Sequence, residues 1–170
     1  MVLDNFTAAI ASFTLNQQRV LTKWNVQSGA SSQNTQIWGS ADTLRTSRAM
    51  NNYIYSADTG VAIVCGTGDT APTASDYKLE NMIDMARVLS YLSGEIVAST
   101  NPKTLYSVTQ TYQNISSSPV TVSEIGILAG LGYDWQSNLF VLLTRDVLST
   151  PVVIPANATY SFNVSVNANT

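Results

Sequence analysis

Tyr160-Ser161-Phe162-Asn163-Val164-Ser165-Val166 alternates aromatic or aliphatic residues with small polar ones along its whole length. A period of two puts Phe162, Val164 and Val166 on one face and Ser161, Asn163 and Ser165 on the other, the pattern of a strand with one buried and one solvated side. Working back from it, residues 95–98, 105–112, 120–129 and 139–148 are further β-rich runs. Turn signals separate them: Asn101-Pro102, the stretch 114–119, the stretch 130–137, and Pro155-Ala156-Asn157. Val61-Ala62-Ile63-Val64-Cys65, ended by Gly66, reads as a short buried strand. Several strands at short, regular spacing indicate an all-β fold, a single antiparallel β-sandwich of jelly-roll or Ig-like type. Residues 81–93 fit two patterns. Met82, Met85, Ala86, Leu89 and Leu92 have helical spacing, whereas Ile83, Met85, Leu89 and Tyr91 have strand spacing, and the neighbouring strands favour a strand here.

The first 52 residues differ from the rest and are assigned to an N-terminal extension, with the sandwich over 53–170. Leu3, Phe6, Ala9, Ile10 and Phe13 recur at helical spacing, with Asp4 or Asn5 available as a cap, so a short amphipathic helix is expected. Two roles stand equal for it: a helix packed on its own sheet, or a docking arm that presents Leu3, Phe6, Ile10 and Phe13 to a neighbour. Residues 17–26 fit a strand and 28–36 a polar loop.

Composition limits the chemistry. Charged residues are only 11% of the chain, against roughly 25% in typical domains, while 61 of 170 residues are Ser, Thr, Asn or Gln. No histidine is present, which excludes His-based triads and His metal ligands. A single cysteine, Cys65, excludes an internal disulfide and a thiolate zinc cage. The formal net charge of −3 argues against a sequence-independent nucleic-acid binder, which needs a surplus of Lys and Arg. No stretch reaches the ~20 apolar residues of a membrane span. The start, Met1-Val2-Leu3-Asp4-Asn5, lacks the basic region of a signal peptide, so folding in a cytosol-like compartment is expected. The Asn-x-Ser/Thr sites at Asn5, Asn114, Asn157 and Asn163 then read as by-products of composition.

Two runs carry a sharper signal. Val120, Val122, Glu124, Gly126 and Leu128 share one strand face, and Leu139, Val141, Leu143, Arg145 and Val147 share another. Each apolar face carries one charge. An antiparallel hairpin turning near 131–138 sets Glu124 opposite Arg145, and an unpaired buried charge is costly. The two are therefore expected to meet, as a structural pair.

Other motifs are weaker. Gly66-Thr67-Gly68 lacks the Lys-Ser/Thr ending of a phosphate loop, and Asp69 and Pro72 follow it. Asp69, Asp76, Glu80 and Asp84 lack the spacing of a calcium loop and read as a solvated acidic surface. No nucleophile elbow occurs, Cys65 lies in an apolar run, and the carboxylates form no recognisable acid–base pair. No catalytic residue, cofactor or metal is assigned. Tyr133-Asp134-Trp135, in the expected hairpin loop, suits stacking on a glycan or a protein interface equally.

The order of the motifs carries a resemblance. Gly66-Thr67-Gly68-Asp69-Thr70-Ala71-Pro72 is followed by Asp76-Tyr77-Lys78-Leu79-Glu80. Asn114-Ile115-Ser116-Ser117-Ser118-Pro119 comes next, then Val122-Ser123-Glu124-Ile125-Gly126-Ile127. Leu142-Leu143-Thr144-Arg145-Asp146-Val147-Leu148 and a Pro151–Pro155 segment complete the series. Over residues 61–166 this resembles a diffuse group of tailed-bacteriophage virion proteins, with Ile127 and Thr144 where those proteins usually carry leucine and alanine. The resemblance implies a non-enzymatic structural component of the virion, made in the host bacterial cytoplasm. A capsid-exterior or head–tail accessory protein is the first expectation; a tail, baseplate or receptor-binding (carbohydrate-binding) module is the alternative. It implies other virion proteins and further copies of the chain as partners, with a glycan as a possible ligand and neither nucleic acid nor membrane.

Overall fold

A computed structural model describes residues 1–4, 19–25, 31–37, 61–98, 104–130 and 139–167. The strands are β1 (Arg19–Asn25), β2 (Ser31–Ile37), β3 (Val61–Gly66), β4 (Leu89–Ala98), β5 (Thr104–Asn114), β6 (Val120–Gly130), β7 (Leu139–Ile154) and β8 (Thr159–Asn167); one helical turn, α1 (Met85–Val88), precedes β4. They form two antiparallel sheets. One has the order β2-β1-β7-β6-β3 and the other β4-β5-β8. This is the all-β sandwich expected from the alternating runs.

The core lies between the sheets. Ala62, Ile63, Val64 and Cys65 of β3, Val122, Ile127 and Leu128 of β6, Val141 and Leu142 of β7, and Val108 and Tyr112 of β5 are buried. Burial alternates along β5, where Val108, Gln110, Tyr112 and Asn114 face inward and Ser107, Thr109, Thr111 and Gln113 lie on the outer side. Tyr112 packs edge-on against Tyr91, with centroids 6.1 Å apart, and tilted against Phe162 at 6.4 Å.

Edge strands expose unpaired backbone groups, and β3 shows how this fold closes one. Side chains of β5 reach across to it. Tyr112 donates its hydroxyl to the Ile63 carbonyl at 2.6 Å, and the Ile63 N–H donates to Gln110 Oε1. Further along, Ile83 N–H donates to the Cys65 carbonyl at 2.9 Å and Thr67 N–H to the Asn81 carbonyl at 2.8 Å. Tyr112→Phe leaves the buried Ile63 carbonyl without this donor. A loss of about 1–3 kcal/mol is expected in denaturant unfolding, and an unchanged midpoint would show that the carbonyl finds another donor.

Five expectations are corrected. The stretch 28–36 is not all loop: Ser31–Ile37 form β2, paired antiparallel with β1. Residues 81–93 are not one strand: Met85–Val88 form a helical turn, with Arg87 and Val88 N–H donating to the Asp84 carbonyl at 3.1 and 3.0 Å, and β4 starts at Leu89. The face proposed for Leu139, Val141, Leu143, Arg145 and Val147 is broken. The register shifts between Ile127 and Leu128, so that Leu143 is an extra residue on β7 between Leu142 and Thr144. Such a bulge reverses the alternation beyond it, so Leu142 and Arg145 share a face. Glu124 lies directly opposite Val147, and Arg145 opposite Gly126. Finally, Leu3 is not a docking residue. It is fully buried in the core, its N–H donates to the Leu143 carbonyl at 3.0 Å, and Val2 bridges Thr144. Phe6, Ile10 and Phe13, the rest of the expected helix, and the boundary at residue 52 lie outside the described residues. Strand β1 joins the large sheet through Trp24–Phe140 and Asn25–Leu139 pairs.

β7 continues through Pro151 to Ile154. A second register shift, between Val122 and Glu124, places residues 148–151 against Ser123 alone. A bulge is a position where a proline, lacking its N–H, is tolerated.

Candidate functional site

The two charges singled out on β6 and β7 do meet. Arg145 Nε donates to Glu124 Oε2 at 2.9 Å, along the diagonal that the register creates. Both side chains are buried, Glu124 completely. The carboxylate of Glu124 is fully occupied. Its Oε1 accepts from Gly68 N–H at 3.1 Å and Asn81 N–H at 2.8 Å, and its Oε2 accepts from Glu80 N–H at 3.1 Å besides Arg145. Four donors satisfy the acceptor sites of this buried carboxylate.

These bonds explain the glycines of the Gly66-Thr67-Gly68 turn. A Cβ on Gly66 would lie 2.7 Å from Glu124 Cγ and 2.8 Å from the Asn81 carbonyl oxygen; one on Gly68 would lie 2.7 Å from Glu124 Oε1 and 2.6 Å from Glu80 Cβ. Only a residue without Cβ admits the carboxylate so close. The turn therefore does cradle an anion, and the anion is the chain's own Glu124.

Arg145 reaches on into the acidic stretch. Its Nη1 donates to Asp76 Oδ2 at 2.7 Å, and its Nη2 to the Thr70 carbonyl at 3.1 Å and to Glu80 Oε2 at 3.4 Å. Asp76 and Glu80 are thus not merely a solvated surface. The correction has a local cause: Asp76 also accepts from Thr73 N–H at 3.0 Å and Thr73 Oγ1 at 2.6 Å, and Glu80 accepts from Asp69 N–H at 3.1 Å, Thr70 N–H at 2.9 Å and Thr70 Oγ1 at 2.8 Å. Two tight carboxylate-capped turns hold residues 69–80 in place over the guanidinium. Asp69 and Asp84 remain exposed.

The electrostatics follow from these contacts. Burial alone would raise the Asp76 carboxyl, but hydrogen bonds from Thr73 and Arg145, with the Arg145 charge, hold it below the usual carboxylate range. Hydrogen bonds from Thr70 do the same for Glu80. Burial would lower the Arg145 guanidinium, and its bonds to Asp76 and Glu124 outweigh that and raise it. Both carboxyls take up protons more readily in the unfolded chain, so they stabilise the fold above the ordinary Asp and Glu range of about 4 and lose this as pH falls through their lower folded values. The melting temperature is expected to be flat from neutrality to about pH 5 and to fall below about pH 4. A melting temperature that rose on acidification would contradict this linkage.

Other buried polar residues also serve the fold. Asn114, inside an Asn-x-Ser triplet, is fully buried. Its Nδ2 donates to the Ser118, Ile154 and Pro155 carbonyls at 2.8, 2.9 and 3.2 Å, and its Oδ1 accepts from Ser116 N–H at 2.9 Å and Ser116 Oγ at 2.7 Å. It ties the turn after β5 to the end of β7 and has no amide hydrogen exposed for glycosylation. Thr144 Oγ1, at the β7 bulge, accepts from Ile127 N–H at 3.1 Å. Burial pushes the Cys65 thiol up, which leaves it protonated and unreactive. Sequence reasoning missed Gln110 and Asn114. Their signal was their even spacing with Val108 and Tyr112 on one strand face.

The outer side of the small sheet has a different character. β5 contributes Ser107, Thr109, Thr111 and Gln113, and β8 contributes Thr159, Ser161, Asn163 and Ser165. Glu95 is the one charged residue in the three strands. Cross-strand bonds already order this surface: Thr111 Oγ1 and Ser161 Oγ lie 2.7 Å apart, and Asn163 Nδ2 donates to Thr109 Oγ1 at 2.6 Å. The β5 and β8 part of this surface approaches another protein without desolvating an ion.

Tyr133, Asp134 and Trp135 lie outside the described residues. Among the described residues, no three His, Cys, Asp or Glu side chains are grouped to hold a metal, and no helix is long and apolar enough to cross a membrane. Comparison with models of protein families, with curated proteins and with solved structures finds no match to this chain.

Proposed function

We propose that the chain is a non-enzymatic structural subunit of a tailed-bacteriophage virion, a capsid-exterior or head–tail accessory protein that works through subunit contacts. One observation carries the reading. The strings that resemble virion proteins are far apart in sequence, yet Gly66, Gly68, Asp76, Glu80, Glu124 and Arg145 all belong to one bonded cluster. The residues that carry the resemblance therefore sit together in this fold, which supports reading them as one structural unit rather than as separate short strings. The chemistry of the outer sheet suits the same role, since hydroxyl and amide groups form interfaces without burying ions.

Mass spectrometry of purified phage particles whose genome encodes this chain tests the proposal. The expected result is the full chain at fixed stoichiometry, with electron microscopy finding it on the shell or neck. Its absence from washed particles would overturn the reading, and a ring around the tail would reassign its place.

A further inference from the structure

We propose that two copies of this chain join edge to edge through β8, in an antiparallel pair that runs the small sheet continuously from one copy into the other. The inference rests on the subunit reading above and names the surface and its partner.

The edges of the two sheets differ in how they are guarded. Natural sheets protect free edges with charge, proline, bulges or a covering segment. β3 is covered by Gln110, Tyr112 and residues 81–83. β4 is broken by a register shift between Tyr91 and Ser93 and carries Glu95. β2 meets β1 with a register shift between Leu21 and Lys23. Among the described residues, β8 shows none of these devices over residues 159–166; its pairing with β5 shifts only beyond Val166, between Thr104 and Tyr106. Its nine residues contain no charge, proline or glycine, and it pairs in unbroken register with β5 from Thr159–Gln113 to Val166–Tyr106. Among the described residues, β5 is its one strand neighbour. Nine extended residues span about 30 Å, enough for a full ladder.

The sequence of β8 complements itself. Antiparallel pairing about a twofold axis at Asn163 sets Asn163 beside Asn163 of the second copy, Ser161 beside Ser165, Phe162 beside Val164, and Tyr160 beside Val166. Polar residues meet polar ones on the outer face and apolar residues meet apolar ones on the inner face, as an isologous contact requires. Hydroxyl and amide groups both donate and accept, so the polar rungs match themselves. The chain carries a net charge of −3, yet no like charges face each other across this join. Tyr160, 39% exposed with its ring 4.8 Å from that of Phe162, gains an apolar neighbour. The bonds from Ser161 to Thr111 and from Asn163 to Thr109 hold the rungs of β8 in place before the second copy arrives. A second copy at β4 would instead bring two Glu95 carboxylates together across a bulged edge.

Sedimentation of the full chain tests this. The expected wild-type mass is twice 18.3 kDa. Asn163→Lys, which places two ammonium groups on the axis, should shift it to the single-chain mass with an unchanged circular dichroism spectrum. Because Asn163 is exposed, Asn163→Cys should fold normally and, on oxidation, give a disulfide-linked dimer, whereas Ser117→Cys in the exposed turn after β5 should not. A dimer that survives Asn163→Lys, with no Asn163→Cys cross-link, sinks the β8 assignment and leaves the subunit role standing. A wild-type chain that stays single at hundreds of micromolar overturns the pairing, and its absence from particles would overturn the subunit role as well.

Discussion

Arg145→Met is expected to lower the stability of the fold by about 3–5 kcal/mol, the usual result of removing one partner from a buried ion pair. The size follows from what remains. Glu124 keeps its backbone donors but loses its one cationic partner among the described residues, and the carboxylates of Asp76 and Glu80 are left close to it without the guanidinium between them. The Thr70 carbonyl loses a donor as well. Equilibrium unfolding in urea measures the effect. Pairing Arg145→Met with Glu124→Gln should recover part of the loss, because the neutral amide leaves no ion at position 124 while its oxygen still accepts from Gly68 and Asn81 N–H. A single Arg145→Met variant as stable as wild type would show that the cluster holds nothing together.

Leu3→Ala is expected to cost about 2–5 kcal/mol, as for other fully buried leucines. Leu3 has no solvent exposure and reaches the core beside β7, where its backbone bonds Leu143. Removing residues 1–4 should destabilise at least as much, because the bridge from Val2 to Thr144 goes too. A docking arm makes the opposite prediction: Leu3→Ala would leave the free chain's stability untouched and weaken assembly alone. Thermal unfolding of the isolated chain separates the two.

How much of this was legible beforehand depends on the range of the signal. The strands of the sandwich could be read because a half-buried strand writes its period of two directly into the sequence, as in 160–166. The meeting of Glu124 with Arg145 could be read because each was the one charge on an apolar face. Their true geometry could not: the extra residue Leu143 leaves no compositional mark, and it decides which β7 residues face inward. The role of Asp76 and Glu80 was hidden for another reason. Four acids over 69–84 look like a solvated run until the turn folds back onto a cation at residue 145. Leu3 misled because its spacing fits a helical stripe, while its burial comes from strand-like pairing with β7. Gln110, Tyr112 and Asn114 looked like ordinary strand polarity, because the edge and turn they satisfy lie on other elements.

Among the described residues, the ionised groups of the conspicuous motifs bind one another around Arg145, and β5 and β8 are left with neutral hydroxyls and amides on their outer side, with Glu95 of β4 the one charge in the small sheet. The central claim is that this neutral surface meets other subunits. Hydrogen–deuterium exchange, comparing the dilute chain with the chain in intact particles, tests it most directly. The account predicts that residues 159–167 and the outer rungs of β5 gain protection while residues 66–84 change little. Protection gained over 66–84, with β8 exchanging as freely as in the dilute chain, would contradict it.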